Sequence, residues 1–90
     1  MASYSVIWEP KATKELKRLP KPEIARILKA VAQLAHNPYP VGSLKLSGEE
    51  SSYRIRQGNY RIIYTIENHQ LIVVVVRVGH RKEIYRGELG

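Results

Sequence analysis

The chain has 90 residues, enough for one domain with one core, and 43% of them are hydrophobic, as in an ordinary globular protein. Its 15 Lys and Arg against 8 Asp and Glu give a formal net charge of +7, which favours a polyanion or an acidic protein as partner. The absence of cysteine excludes disulfides and thiol-based metal sites or nucleophiles. The N-terminus lacks the apolar run of a signal peptide, and the longest apolar stretch, residues 71–76, is too short to span a bilayer. We therefore expect a single domain over residues 1–90, located in the cytoplasm and without membrane contact.

The first half of the chain predicts a short strand and two helices. Residues 3–8 read as the opening strand, and Glu9 and Pro10 then begin a helix, because proline suits a first turn and an acid suits the helix dipole. Apolar residues at helical spacing predict a second helix from about Pro22 to His36. The two helices are expected to form an antiparallel hairpin, followed by a proline-rich loop.

The second half alternates with a period of two and predicts strands. A short strand at 44–46 is followed by strands at 53–57 and 60–67 and by an apolar run at 71–78. The resulting order is β-α-α-β-β-β. We expect an α+β fold in which an N-terminal strand and a two-helix hairpin pack on one face of a mostly antiparallel sheet.

The segment from 53 to 67 reads as a β-hairpin around Gly58 and Asn59. Glycine in the first position suits a type II′ turn, and a two-residue turn places Arg56 directly opposite Arg61. Like charges that face each other across two strands are destabilising. Their placement therefore indicates a site that binds an anion.

Alternation also assigns the two faces of this hairpin. Ile55 pairs with Ile62 in an apolar layer against the helices. Arg54, Arg56 and Arg61 point to the opposite face, which the sequence leaves open to solvent.

The last strand joins the same sheet through a turn at 68–69. If that turn has two residues, Arg61 lies opposite Val76, and continued alternation brings His80 to the open face and turns Arg77 away from it. A change of one residue in the length of the turn reverses this assignment.

The open face and the tail that follows collect side chains able to hold and cleave a phosphodiester. A guanidinium binds two phosphate oxygens at once, a tyrosine ring accepts an unstacked base, and histidine moves protons near neutral pH. Cleavage through the ribose 2′-hydroxyl needs no metal and no cofactor, and the sequence shows no clustered carboxylate–histidine site. The residues concerned are Arg54, Arg56, Arg61, His80, Arg81, Lys82, Tyr85 and Arg86.

Short motifs follow one another along nearly the whole chain: Lys45-Leu46-x-Gly48, a Tyr-basic-Ile-basic stretch at 53–56, Tyr60-Arg61-x-x-Tyr64, and Val78-Gly79-x-Arg81 ahead of a C-terminal tyrosine. Together and in this order they resemble the RelE/ParE superfamily of bacterial and archaeal toxins, and within it the RelE branch. The resemblance implies two helices packed on an antiparallel sheet. It also implies cleavage of mRNA in the ribosomal A site, leaving a 2′,3′-cyclic phosphate, and a cognate antitoxin as partner.

The resemblance further implies roles for individual residues. The family's basic pair on the first hairpin strand corresponds to Arg54 and Arg56, and its phosphate-gripping arginine corresponds to Arg61. Its general acid or transition-state stabiliser corresponds to Arg81, and its base-orienting tyrosine corresponds to Tyr85. Further contacts to RNA are expected from Lys45, Lys82 and Arg86.

Two departures from the family concern the tail and proton transfer. The tail between Arg81 and Tyr85 is shorter than in the reference pattern. The best-known members also carry lysines at the positions of Arg54 and Arg56, and one of those lysines is the proposed general base. Arginine stays protonated and is a poor base, so the base remains open, with His80 as a candidate. The charge-stabilising role of the arginines is not weakened.

Other functions and contacts remain open at this point. A ParE-like protein would poison DNA gyrase and cut no RNA, although the tail at 80–85 favours the nuclease branch. An inactive relative would bind ribosomes and leave mRNA whole. The lysines at 11, 14 and 17 read as a solvated helix face, with contact to ribosomal RNA as the alternative. The open face is partly apolar beside Ile63, Val74 and Val76, which suits an antitoxin segment.

Overall fold

In the computed structural model, a five-stranded mixed sheet carries two helices on one face and a third helix against the other. The structure describes residues 3–46, 48 and 51–87, with the backbone alone for 85–87. In chain order the elements are β1 (Ser5–Trp8), α1 (Pro10–Lys17), α2 (Lys21–Gln33), β2 (Leu44–Lys45), β3 (Ser52–Gln57), β4 (Tyr60–Glu67), β5 (Ile72–His80) and α3 (Arg81–Gly87). The strand order is β1-β5-β4-β3-β2, with β1 parallel to β5 and the other neighbours antiparallel.

Helices α1 and α2 both carry proline in their first turn and pack on the same side of the sheet, as predicted. Helix α2 ends at Gln33, and residues 34–36 continue as a turn rather than as helix. No described helix is long and apolar enough to cross a membrane. The core between the helices and the sheet includes Ala12, Leu16, Ile27, Val31, Leu34, Ile55, Ile62 and Tyr64.

The β3–β4 hairpin has the predicted register. Arg56 lies opposite Arg61, and Gln57 lies opposite Tyr60 on either side of the two-residue turn. Gly58 has a φ of +61°, which is the conformation that the first position of a type II′ turn requires. The hairpin was predictable because its strands alternate between apolar and polar residues, with Gln57 and Ile63 as the exceptions.

The predicted register of β5 is wrong. The turn before β5 spans residues 68–71, two residues longer than assumed, and a bulge follows in which Val76 has no partner on β4. As a result, Arg61 lies opposite Gly79 rather than Val76, and His80 pairs with Tyr60. The run of valines in β5 has no alternation, so nothing in the sequence marked the bulge.

The tail that follows β5 forms the short helix α3, which the sequence analysis did not predict. Ile84 of α3 is fully buried, and its Cβ lies 3.6 Å from the position that a Cβ on Gly79 would occupy. Because Gly79 lies opposite Arg61, α3 covers part of the face that carries the arginines. That face is therefore open only in part, and Ile63 within it is buried.

Candidate functional site

Arg61 is the most buried arginine of the hairpin, with 6% of its surface exposed. Its Nη1 donates to the carbonyl oxygens of Gly58 at 3.2 Å and Tyr60 at 3.1 Å, and its Nε is buried without a hydrogen-bond partner. Among the described residues, no carboxylate pairs with it. A buried guanidinium without an acid is costly, and an orphaned N–H calls for an explanation. The arrangement indicates a site that accepts an anion.

Two further arginines lie near Arg61 at this end of the sheet. Arg56 is exposed and lies directly across from it in the β3–β4 pair. Arg81 is also exposed, and its backbone N–H donates to the carbonyl oxygen of Asn59 at 2.8 Å, so α3 starts at the hairpin turn. We call Arg56, Arg61 and Arg81 the arginine cluster. Three guanidinium groups near one turn provide the donors and the charge to hold a phosphate.

Arg54 extends the basic surface along β3. It is partly buried and lies opposite Ile63, on the same face as Arg56. Arg54 and Arg56 also line a groove of about 560 Å³, which is bounded by α2 and by the loop at 40–42. Of the residues that meet near the hairpin turn, Arg56 therefore also lines this groove.

His80 does not lie on the arginine face, contrary to the prediction. Its ring stands edge-on to Tyr60, with centroids 5.7 Å apart, on the side that packs against the helices. Its Nδ1 accepts the backbone N–H of Lys82 at 3.2 Å, so His80 acts as the N-cap of α3. The β-bulge is the cause, because it shifts the alternation of β5 by one residue.

The remaining predicted site residues are not all brought together. Lys45 lies opposite Tyr53 and therefore shares the helix-facing side of the sheet, away from the arginine cluster. Lys82 is exposed in the first turn of α3. The side chains of Tyr85 and Arg86 lie outside the described residues. Within the described ranges, no three His, Asp or Glu side chains are placed to hold a metal ion.

Glu15 of α1, which the sequence analysis did not single out, supports the strand that leads to the cluster. Its Oε2 accepts from Nε of Arg77 and its Oε1 from the backbone N–H of Val78, both at 2.9 Å. Strand β1 pairs with β5 only as far as Val75, so the carboxylate caps the edge of β5 where β1 ends. The sequence did contain a signal for the special position of Glu15, because it is the only acid between residues 10 and 22.

Tyr64 anchors the opposite end of the sheet. Burial raises the pKa of Tyr64 to about 12, against a smaller lowering by a hydrogen bond from the Ser43 side chain. Its hydroxyl donates to the carbonyl oxygen of Pro38 at 2.8 Å, and its ring stacks on Tyr53. These contacts hold the loop after α2, and Tyr64 belongs to the core.

Comparison with known proteins identifies the family. A model described as the ParE toxin of the type II toxin-antitoxin system parDE matches residues 6–85. Toxin RelG of Mycobacterium tuberculosis is 32% identical over 84 residues, which is 92% of this chain and 97% of RelG. The archaeal RelE–RelB complex from Pyrococcus horikoshii matches with a TM-score of 0.80 and 28% identity, over 90% of this chain and 98% of that chain. The complex RelBE2 from Mycobacterium tuberculosis matches with a TM-score of 0.78 and 28% identity, over 89% of this chain and 100% of that chain.

These matches span nearly the whole chain and agree with the motifs in its sequence. The family model includes both strands of the β3–β4 hairpin and the start of α3, so all three residues of the arginine cluster lie within the matched range. The chain therefore belongs to the RelE/ParE superfamily of toxins from type II toxin–antitoxin systems.

Proposed function

We propose that this toxin is a ribosome-dependent endoribonuclease that cuts mRNA in the A site. The observation that carries the proposal is Arg61, a buried guanidinium with an orphaned Nε–H and with no carboxylate partner among the described residues. Two more arginines stand beside it. A site that concentrates positive charge without acids fits a substrate that develops negative charge during the reaction.

In this mechanism the ribose 2′-oxygen attacks the adjacent phosphorus and the 5′-oxygen leaves with a proton. The products are a 2′,3′-cyclic phosphate and a 5′-hydroxyl. Arg61 and Arg81 stabilise the extra negative charge of the phosphorane-like transition state, whereas Arg54 and Arg56 hold the neighbouring backbone. Tyr85 positions a base, a role that rests on the family resemblance.

Access to Arg61 requires a movement of α3. Only 6% of the Arg61 surface is exposed, and α3 lies against the Gly79 backbone directly opposite. Helix α3 has seven residues, and among its described side chains only Ile84 is buried. An element this short opens at a small cost in free energy.

The proposed protein partner is a cognate antitoxin. The solved RelE–RelB complex from Pyrococcus horikoshii and the RelBE2 complex from Mycobacterium tuberculosis are relatives of this chain with bound antitoxins. On the arginine face, Val74 is half-buried, and neighbouring Ile7 is 48% exposed. We propose that an antitoxin segment covers this apolar area and neutralises the arginines.

Primer extension on a defined mRNA, held in programmed ribosomes with an empty A site, tests the proposal. We expect a cut within the A-site codon, no cut in free mRNA, and no effect of EDTA added briefly to preformed complexes. Arg56→Ala should weaken cleavage without a change in thermal stability, because this side chain is exposed. Intact mRNA with well-folded wild-type protein would overturn the proposal.

Gyrase poisoning is the second candidate, because the matching family model is named for ParE. The same preparation should therefore be tested for stabilisation of cleaved DNA by gyrase. We expect no such effect. DNA breakage together with intact mRNA would assign the protein to the gyrase-directed branch.

A further inference from the structure

We propose that the space between α2 and β3 binds an unstacked nucleotide of the message, and that Gln33 reads the edge of its base. This inference rests on the proposed function, because it adds a subsite to the surface that holds the same RNA. Two adjoining grooves make up this space, with volumes of about 560 Å³ and about 410 Å³. Both are lined by Ala30 and Gln33. We call the two together the α2–β3 groove.

Cations and amides dominate the polar lining of the α2–β3 groove. Where the structure describes the chain, this lining contains no Asp or Glu. One neighbouring acid, Glu23, pairs with Arg26 and compensates part of its charge. Cavities of this size commonly hold ligands, and the charge favours a ligand with phosphate groups. The lining residues with charged or amide side chains are Arg26, Lys29, Gln33, Arg54, Arg56 and Gln57.

The α2–β3 groove is continuous with the proposed catalytic site. Arg56 belongs to the arginine cluster and also lines the groove. Arg54 lies two residues before it on the same strand, which separates the two Cα atoms by about 7 Å. The two guanidinium groups can therefore bind different phosphates of one strand. A message with its scissile phosphate at the cluster can extend into the groove with a neighbouring nucleotide.

Gln33 is suited to contact a base rather than a phosphate. It is the last residue of α2, so a helix rather than a loop fixes its position. Its side chain is exposed, and no described residue forms a hydrogen bond with its amide group. The amide has both donors and an acceptor, so it can form two hydrogen bonds with one base edge. Proteins read single-stranded RNA in this way, through the edges of unstacked bases.

The loop at 40–42 provides an apolar wall for the same base. Val41 is fully exposed, with a relative exposure of 106%, and it lines the groove together with Pro40 and Gly42. Burial of this apolar surface under the face of a base is favourable. The groove therefore offers a contact to the face of a base from Val41 and a contact to its edge from Gln33.

The first test follows the side-chain amide of Gln33 by NMR as RNA is added. The probes are short single-stranded RNA oligonucleotides that differ only in the base at one position and carry 2′-O-methyl groups, which block cleavage. We expect them to shift the Gln33 amide signals and to leave those of Gln70, in the turn before β5, unchanged. Poly-glutamate, a polyanion without bases, should not shift the Gln33 signals. No shift with RNA, or an equal shift with poly-glutamate, would overturn the inference.

The second test measures the affinity of the same oligonucleotides for wild type and for Gln33→Met. Methionine keeps the length of the side chain but lacks the amide donors and acceptor. In the wild type we expect Kd to differ by about five-fold or more between the most and the least favoured base, which is the lower limit for one bidentate contact. In Gln33→Met this ratio should fall toward unity, whereas the mean Kd should change little because the arginines remain.

Gln70→Met is the matched control, because Gln70 is also exposed but lies outside the groove. It should keep the wild-type ratio, and thermal unfolding ensures that both variants are folded. The same ratio in Gln33→Met as in the wild type, or no base preference in the wild type, would contradict the inference. Neither test uses ribosomes or cleavable RNA. Failure of the proposed nuclease activity would instead appear as intact mRNA in the primer-extension assay, so the two failures are distinguishable.

Discussion

Arg61 makes structural hydrogen bonds and also belongs to the proposed catalytic site. One substitution tests these two roles separately. Arg61→Met keeps the length of the side chain but removes the charge and the bonds to the turn carbonyls. Replacement of a buried charge by an apolar group of similar volume is often neutral for stability. We expect the free energy of unfolding to stay within about 1 kcal/mol of wild type. We expect cleavage to fall by about 10²–10³-fold, which is typical for loss of one transition-state donor.

Urea denaturation and A-site cleavage rates of the same Arg61→Met preparation provide the check. Arg56→Met is the matched control for stability, because Arg56 faces Arg61 but is exposed. A loss of stability well above 2 kcal/mol, with cleavage near wild type, would make Arg61 a structural residue only.

His80 also has two candidate roles, as the N-cap of α3 and as a proton carrier, and a substitution can distinguish them. Asparagine is among the best N-cap residues but does not titrate. Because Nδ1 of His80 caps α3 and its ring packs on Tyr60, we expect His80→Asn to cleave within a few-fold of wild type. His80→Ala should lower the free energy of unfolding by about 1 kcal/mol, since α3 loses its cap. A drop of about 10² or more in His80→Asn would instead identify His80 as the proton carrier.

Tyr64 makes the free energy of unfolding depend on pH in the alkaline range. The pKa of Tyr64 is raised from 10.0 to about 12, so the unfolded chain loses this proton first as the pH rises. Its contribution to stability is complete below pH 10 and is lost between about 10 and 12. We expect the wild type to lose about 2–3 kcal/mol more than Tyr64→Phe over that range.

Urea denaturation at matched pH values measures this difference. At pH 7 Tyr64→Phe should be less stable by about 1–2 kcal/mol, because the buried carbonyl oxygen of Pro38 loses its donor. Other groups titrate in both proteins, so only the difference between the two curves is informative. Parallel curves from pH 9 to 12 would contradict the assignment.

At the scale of elements, the access to Arg61 that we propose depends on the contact between α3 and β5. A Cβ at position 79 would lie 3.6 Å from the Cβ of Ile84, which is within the range of disulfide geometry. The chain has no cysteine, so a disulfide in the double variant Gly79→Cys/Ile84→Cys forms without competing thiols. We expect the oxidised protein to lose cleavage because α3 cannot leave the sheet, and reduction to restore it.

The single variant Gly79→Cys controls for the change at the strand, and oxidation should not alter its activity. Gly79→Ala should also be tolerated, since a contact of 3.6 Å is ordinary van der Waals packing. Full cleavage by the oxidised double variant would show that α3 need not move.

The elements differ in how far the sequence predicted them, and the difference has a physical origin. The β3–β4 hairpin alternates at every position except Gln57 and Ile63, so Arg56 opposite Arg61 followed directly from the spacing. Strand β5 is apolar on both faces for most of its length. The sequence pattern therefore gave no signal for the bulge or for the face on which His80 lies. Helix α3 is too short to show a periodic pattern in the sequence. Its Ile84 side chain packs on Gly79, which has no side chain in that space.

At the scale of the whole molecule, Glu15 joins the helical layer to the end of the sheet that carries the arginine cluster. Its carboxylate binds Arg77 and the Val78 backbone, and the next residue along β5 is Gly79, which lies beneath α3. Loss of this carboxylate removes both contacts at once. We therefore expect Glu15→Ala to destabilise the fold by about 2–4 kcal/mol, because Arg77 is left largely buried without this partner.

A double-mutant cycle with Arg77→Ala measures the coupling between the two side chains. The cycle should show a coupling of about 1–3 kcal/mol, and the double variant should be more stable than Glu15→Ala. Charge exchange in Glu15→Arg/Arg77→Glu should not restore the wild type, because the N–H of Val78 needs an acceptor that arginine does not supply. Full recovery in the exchanged variant would mean that only the ion pair matters. Partial recovery is expected if the backbone contact on β5 is what fixes the position of the strand that leads to Arg81.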